Sequence, residues 1–170
     1  MVNLGTRLAW IVCIVALSAQ LRAQVVPGDS FPPLAAAGLS GGELPETAGR
    51  VVLVDFWASW CAPCKASFPT YSRLQSEYAA RGLVVVAVGV DDSLSAYGAF
   101  VARMNPAFTT VCDSRHKLVG LVQVPTMPTS YLLDRTGRVR FEHSGFHGDQ
   151  TEQELRREIE TLLGNESATR

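Results

Sequence analysis

The chain has 170 residues, of which 47% are hydrophobic and 18% are charged, and its formal net charge is −1. This length suits one globular domain with or without a targeting segment. A near-neutral charge excludes the broad basic surface by which many proteins bind nucleic acid. The composition therefore predicts an ordinary globular domain that has no nucleic-acid partner.

The first 23 residues differ from the rest of the chain. Arg7 precedes a twelve-residue apolar run at 8–19, and small and polar residues follow that run. A positive start, a short apolar core and small residues are typical of a secretory signal peptide. The run falls short of the ~20 apolar residues that span a bilayer. We therefore predict residues 1–23 as a signal peptide, with a retained N-terminal anchor as the alternative, and residues 24–170 as the folded domain.

Strands and helices are predicted to alternate through the first half of this domain. A lead-in rich in Pro, Gly and Ala occupies residues 24–49. Residues 50–58 form an apolar run with β-branched side chains, which is typical of a strand covered on both faces. Apolar residues at steps of three and four predict a helix over 62–80, which Pro69 is expected to kink. A second buried strand follows at 83–90.

The second half of the domain continues this alternation. Asp91, Asp92 and Ser93 provide N-cap chemistry for a helix. The buried face of that helix is predicted to consist of Leu94, Tyr97, Val101 and Met104. The next predicted elements are a strand at 107–112, a helix around 115–121, and strands at 129–134 and 138–145 joined by a tight turn. The last predicted helix has a Thr151–Glu154 capping box, and its buried residues are Leu155, Ile159 and Leu162. This order predicts an α/β fold whose sheet has an antiparallel edge.

Cys61 and Cys64 form a C-x-x-C pair where a predicted strand ends and a helix begins. The first N–H groups of a helix are unpaired and carry partial positive charge. A thiolate at Cys61 is therefore stabilised and becomes a nucleophile near neutral pH. Cys64 lies one turn further on the same face, where it can attack a mixed disulfide formed by Cys61. Pro63 suits the first helical turn between them. The pair thus predicts a redox couple.

Asp55 interrupts the apolar strand, six residues before Cys61. A buried carboxylate is costly unless it is paired or protonated, so we expect the pKa of Asp55 to be raised. A carboxyl of this kind can take the proton of Cys64 as that thiol attacks. A hydrogen-bonded structural role is the alternative interpretation.

The segment VDFWASWCAPCK resembles the thioredoxin signature, including the buried Asp55, the aromatic Trp60 before the first cysteine, and Pro69 in the active-site helix. The segment VPTMPTSYLLDRTGRV is similar to the cis-Pro segment of the same family. That similarity assigns the cis-Pro to Pro128, with Pro125 as the competing position. The resemblance implies a thioredoxin fold, in which helices flank a central mixed sheet, here with an extra strand–helix insertion and the N-terminal lead-in.

The resemblance also implies which residues contact the substrate. Trp57 is expected to shape the site from within, and the predicted substrate-binding residues are Trp60, Pro63, Met127, Pro128 and Thr129. The backbone at Met127 would pair with an extended client peptide as a short added strand.

The match is closest to the TlpA/ResA-like branch, which comprises exported or membrane-tethered thiol–disulfide oxidoreductases of bacteria. The N-terminal segment, the lead-in VVPGDSFPPL and the insertion carry this similarity, which extends over 26–163. It implies a periplasmic protein that needs no cofactor or metal and that reduces client proteins with disulfides or paired cysteines. Its electrons would come from a membrane or periplasmic dithiol protein. Two positions resemble thioredoxin more than this branch, because Ser67 replaces a usual acidic residue and Asp55 is kept.

Other kinds of site compete with this interpretation. A zinc site would combine the C-x-x-C pair with Cys112 and His116, but Cys112 falls in a predicted strand, where a lone cysteine usually acts as a small hydrophobe. A copper-delivery site would combine the C-x-x-C pair with His143 and His147. A peroxidase of this fold needs an isolated cysteine before the motif, and residues 24–60 contain none. A peptide-binding module without disulfide turnover is the remaining alternative.

Overall fold

The structure is a computed structural model that describes residues 24–164, so the predicted signal segment 1–23 lies outside the described residues. None of the helices within 24–164 combines the length and the hydropathy of a membrane span. The elements in this range are β1 Val51–Trp57, α1 Ala62–Tyr78, β2 Leu83–Gly89, α2 Leu94–Met104, β3 Thr109–Cys112, α3 Lys117–Val122, β4 Thr129–Leu133, β5 Val139–Ser144 and α4 Asp149–Gly164, with short 3-10 helices at Leu34–Ala37 and Ala79–Arg81.

The strands form one five-stranded mixed sheet in the order β3-β2-β1-β4-β5. β1 lies at the centre, where it pairs parallel with β2 and antiparallel with β4. β3 extends the parallel side and β5 forms the antiparallel edge. All seven residues of β1 are buried, because the sheet is covered on both faces. The predicted mixed sheet with flanking helices is therefore confirmed.

An aromatic cluster packs against the end of β1 on the face that α1, α2 and α4 cover. The Trp57 ring centroid lies 4.5 Å from that of Phe100, 5.1 Å from that of Phe68 and 5.5 Å from that of Tyr97. The lead-in and α3 cover the opposite face, where Phe31 packs between strand residues of the sheet. Trp57 therefore fixes the position of the chain immediately before the loop that leads to Cys61.

The predicted buried face of α2 is wrong at one position. Leu94 is 51% exposed, whereas Phe100, which the prediction left out, is 1% exposed. α2 begins at Leu94, with Ser93 as its N-cap, so its first turn extends beyond the core. Ser93 Oγ accepts the N–H of Ala96 at 3.2 Å, as the predicted cap requires.

The predicted capping box of the last helix is also wrong. α4 begins at Asp149, before the predicted cap residue. Thr151 lies inside the helix, where its Oγ1 accepts the N–H of His147 at 3.0 Å. Its hydroxyl thus stabilises the chain before the helix instead of capping it. The predicted core residues Leu155, Ile159 and Leu162 are buried.

The contrast between Phe100 and Leu94 gives a matched test of the packing. We expect Phe100→Ala to lower the free energy of unfolding by about 3–5 kcal/mol, because a fully buried ring leaves a cavity. Leu94→Ala is the control, and it is expected to change that free energy by no more than about 0.5 kcal/mol. Urea unfolding measures both values, and equal losses would contradict the observed packing of α2.

Candidate active site

Cys61 and Cys64 are joined by a disulfide at the start of α1, with their Cα atoms 5.4 Å apart. Cys61 is the N-cap of α1, and its Sγ accepts the N–H of Cys64 at 3.3 Å. The two residues differ in access, because Cys61 is 4% exposed and Cys64 is fully buried. Pro63 occupies the first helical turn between them and is exposed. In the reduced pair, the helix N-terminus stabilises a thiolate on Cys61, which is the more accessible sulfur.

Asp91 holds the loop that carries Cys61. Its carboxylate accepts the Ser59 N–H at 3.2 Å and 3.1 Å and the Ser59 hydroxyl at 2.6 Å. Asp91 is only 4% exposed and follows β2, the parallel neighbour of β1. The sequence prediction assigned Asp91 to the cap of α2 and missed this contact. A usable signal was its position, because residues that follow adjacent parallel strands meet at one edge of a sheet.

Asp55 lies within β1 and is fully buried. The Tyr71 hydroxyl donates a hydrogen bond to its Oδ1 at 3.2 Å. Burial raises the pKa of Asp55 well above its usual value, and the Tyr71 hydrogen bond opposes that rise in part. Asp55 Oδ2 has no hydrogen-bond partner within the described part of the chain. The expected rise in pKa is confirmed.

The neighbours of Asp55 on the adjacent strands and on α1 include two serines. Its register partners are Ser130 on β4 and Ala87 on β2. Ser67 Oγ, on the buried face of α1, donates to the Cys64 carbonyl at 3.0 Å. Sequence reasoning treated Tyr71 only as a core residue, because its helical spacing fits that role. Its spacing of four residues from Ser67 on the same face was the missed signal.

The predicted client-binding residues lie at one end of the sheet. The Met127–Pro128 peptide bond is cis, as predicted, and Pro128 directly precedes β4. Thr129 pairs in register with Phe56, near the end of β1, and its Oγ1 donates to the Thr126 carbonyl at 2.9 Å. Trp60 is 72% exposed beside Cys61. The fold therefore places the cis-Pro segment and the redox loop, which is the connection 58–61 between β1 and α1, at the same end of the strands.

Trp60 also lines a surface cavity of about 630 Å³. Val119, Val124 and Pro125 contribute to its wall. His116 lies on the same wall, where its Nε2 is 2.9 Å from the Val90 carbonyl and 3.5 Å from a carboxylate oxygen of Asp92. This cavity adjoins the exposed side of the redox loop, so a bound segment there would contact Trp60.

The side chains of the metal-site alternatives do not meet the cysteine pair. Cys112 is buried, burial raises the pKa of its thiol, and its Sγ contacts the Asp91 carbonyl at 3.5 Å. His143 Nε2 lies 2.7 Å from a carboxylate oxygen of Glu158. Among residues 24–164, no group of three or more His, Cys, Asp and Glu residues is arranged to hold a metal ion.

The chain is similar in sequence and in structure to known proteins. The sequence profile of the AhpC/TSA family matches residues 27–142. The thiol-disulfide oxidoreductase ResA of Bacillus cereus is 30% identical over 130 residues, which cover 75% of this chain and 73% of that protein. ResA of Geobacillus kaustophilus is 27% identical over 143 residues, which cover 83% and 80%.

A solved structure extends the comparison. The structure of a protein from Chlorobium tepidum, described as a thiol:disulfide interchange protein DsbE, has a TM-score of 0.76 to this chain at 36% identity. The match covers 83% of this chain and 100% of that one. Because the family profile spans more than half of the chain and the redox pair closes as a disulfide at the head of α1, the chain belongs to the AhpC/TSA family of thioredoxin-fold proteins and is a thiol–disulfide oxidoreductase.

Proposed function

We propose that this protein is exported and reduces disulfides of client proteins through Cys61 and Cys64. The observation that carries the proposal is the buried carboxyl of Asp55. It contacts α1, the redox helix that Cys61 caps, through the hydroxyl of Tyr71. The influences on its pKa are burial and the Tyr71 hydrogen bond, so among the described residues no cation offsets its charge. The carboxyl is therefore a proton acceptor whose negative charge, once formed, stays inside the domain.

This charge bears on the direction of electron flow. A strongly oxidising pair is one whose reduced, thiolate form is stabilised. A buried carboxylate that contacts the redox helix through Tyr71 opposes a second negative charge on sulfur, so it favours the disulfide over the thiolate. The N–H of Cys64 and the helix N-terminus stabilise the Cys61 thiolate and act in the opposite sense. We infer that the buried carboxyl prevails and that the pair gives up its electrons readily.

The reaction proceeds in two exchanges. The Cys61 thiolate attacks a client disulfide, which forms a mixed disulfide and releases one client thiolate. Cys64 then passes its proton to Asp55 and attacks the sulfur of Cys61, and the second client thiolate leaves. The dithiol of the protein is oxidised to the observed Cys61–Cys64 disulfide, and the client disulfide is reduced. The released client thiolates take up protons from water.

We propose that the client binds in an extended form across the end of the sheet. The backbone at Met127 precedes the cis-Pro128 bond, and Thr129 begins β4 beside it. A client strand that pairs with Met127 would run past Cys61, since both lie at this edge. Trp60 and Pro63, which are exposed beside the pair, would contact the same client segment.

The proposed location is the periplasm, with the protein released or tethered by its N-terminal segment. The predicted signal peptide or anchor at 1–23 supports export, as does the similarity to ResA proteins. A protein that reduces clients repeatedly has to be reduced again after each cycle. We therefore propose a membrane or periplasmic dithiol protein as the electron donor.

Removal of Cys64 separates disulfide turnover from simple binding. We expect Cys64→Ser to accumulate a covalent adduct with a disulfide-containing test protein, because Cys61 still attacks but nothing resolves the product. The adduct is measured on a non-reducing gel, and reductant should release it. Cys112→Ser is the control and should behave like the wild type, since Cys112 is buried. A peptide-binding or copper-delivery module would bind the test protein equally in all variants and form no adduct.

The raised pKa of Asp55 predicts a pH-dependent stability. A raised folded-state pKa means that the stability from the neutral carboxyl is complete below the unfolded pKa and is lost as pH rises through the folded pKa. The wild-type free energy of unfolding should therefore fall as pH rises from about 4 towards that folded pKa. Asp55→Asn removes the buried charge, so we expect a smaller fall and a more stable protein at neutral pH.

Urea unfolding of the oxidised protein across this pH range measures the effect. Asp92→Asn is the matched control, because it removes a carboxylate whose side chain is 91% exposed. Identical pH slopes for the wild type and Asp55→Asn would show that Asp55 does not titrate as a buried group.

A further inference from the structure

Tyr71 is buried in the same interior as Asp55 and Cys64. It is 1% exposed, and its hydroxyl donates to Asp55 Oδ1 at 3.2 Å. The hydroxyls of Ser67 and Ser130 also lie at the Tyr71 phenol, and they lower its pKa against the larger effect of burial. Three elements therefore converge on one phenol oxygen, since Asp55 lies on β1, Ser130 on β4 and Ser67 on α1.

The direction of the Tyr71 side chain brings this oxygen towards the redox pair. Cys64, Ser67 and Tyr71 follow one another at steps of three and four residues, and all are buried on the same face of α1. Long side chains in a helix point back towards its N-terminus, so the Tyr71 ring lies over the turn that holds Ser67. Ser67 in turn donates to the carbonyl of Cys64. The phenol therefore links the carboxyl of Asp55 to the first turn of the redox helix.

The two oxygens of Asp55 are in different situations. Oδ1 accepts the Tyr71 hydroxyl, whereas Oδ2 has no hydrogen-bond partner among residues 24–164. Ala87, the register partner on β2, offers no polar side chain. A buried carboxyl held by one oxygen has a defined orientation, and the other oxygen is left to exchange a proton.

We propose that Tyr71 is a positioning residue for the second exchange: it holds Asp55 by Oδ1, so that Oδ2 takes the proton of Cys64. In this step the Cys64 S–H bond breaks and its proton moves to Oδ2. A bond forms between the sulfurs of Cys64 and Cys61 as the bond from Cys61 to the client sulfur breaks. The client thiolate leaves with that electron pair. The inference rests on the proposed role of Asp55 as the proton acceptor.

Other ionisable groups face this region and have partners of their own. His143 on β5 is the register partner of Ser130, which places it on the same face of the sheet one strand beyond β4. Its ring lies 2.7 Å from Glu158 and 3.7 Å from Glu154, both on α4. The influences on the pKa of Asp55 do not include these three side chains. Tyr71 is therefore the group whose removal should alter Asp55 directly.

The test uses the reduced full-length protein and the aromatic disulfide dithiobis(nitrobenzoic acid), with Cys13→Ser and Cys112→Ser as a common background, so that Cys61 and Cys64 are the two remaining thiols. The Cys61 thiolate releases one coloured thiolate in a first phase, and the attack of Cys64 on the resulting mixed disulfide releases a second. The rate of each phase is measured against pH for the parent protein, Tyr71→Phe, Tyr131→Phe and Asp55→Asn. Tyr131→Phe is the matched control, because Tyr131 is a fully buried tyrosine that packs on the opposite face of the sheet.

We expect Tyr71→Phe to leave the first phase unchanged. The second phase should rise with pH as Asp55 loses its proton, and this rise should move upward by about one pH unit in Tyr71→Phe. The shift is upward because the lost hydrogen bond stabilised the carboxylate. Below the midpoint, the second phase is then about tenfold slower than in the parent. Tyr131→Phe should retain the parent profile, and Tyr71→Phe should add no further shift to Asp55→Asn.

The outcomes separate this inference from the proposed function. A Tyr71→Phe profile that coincides with the parent, while Asp55→Asn slows the second phase, overturns the positioning role and leaves the proposed function intact. A parent protein that releases no second thiolate overturns both. If Tyr71→Phe does not fold, Ser130→Ala is the second variant, because it removes the Ser130 hydroxyl that lies at the Tyr71 phenol. It should shift the profile upward by a smaller amount, and an unchanged profile would again overturn the positioning role.

Discussion

The burial of β1 on both faces and along both edges constrains everything around the redox pair. The strand pairs with β2 and β4, and helices and the lead-in cover its two faces, so all seven residues of β1 are buried. Asp55, in the middle of this strand, is therefore buried as well, and its raised pKa follows from the same burial that stabilises the sheet. Burial thus gives the carboxyl the raised pKa on which its proposed role as a proton acceptor depends.

The same strand determines where the sulfurs lie. β1 ends at Trp57, whose ring is locked among the aromatic side chains of α1 and α2, and Cys61 then caps α1. Asp91 holds the intervening loop through Ser59. These contacts leave Cys61 slightly accessible, at 4% exposed, and Cys64 fully buried, although the two residues belong to a single helical turn. The proposed division of labour, with Cys61 as nucleophile and Cys64 as resolving thiol, follows from this difference in access.

Features that depend on local pattern could be predicted from the sequence. Three such features can each be recognised within a short stretch of sequence: the continuous apolar run of β1, the helical spacing after Cys64 and the segment around Pro128. The structure agrees with all three. The contacts that organise the site join distant segments instead. Ser59 and Asp91 are 32 residues apart, and Asp55 and Tyr71 are 16 apart. Their pairing depends on strand order and on the packing of α1, which no single window contains. The misassigned cap at Thr151 has a different origin, because its hydroxyl accepts from His147, only four residues earlier, while the helix already begins at Asp149.

The sharpest test of the proposed reductant role is the equilibrium reduction potential of the Cys61–Cys64 pair in the domain without its N-terminal segment. Titration with defined dithiol–disulfide buffers, followed by the fluorescence of Trp57 and Trp60, measures this potential as the disulfide forms. We expect a value close to that of thioredoxin, about −270 mV, which would make the protein a reductant of periplasmic clients. A value of about −120 mV would be incompatible with this role, because a pair with that potential oxidises its clients.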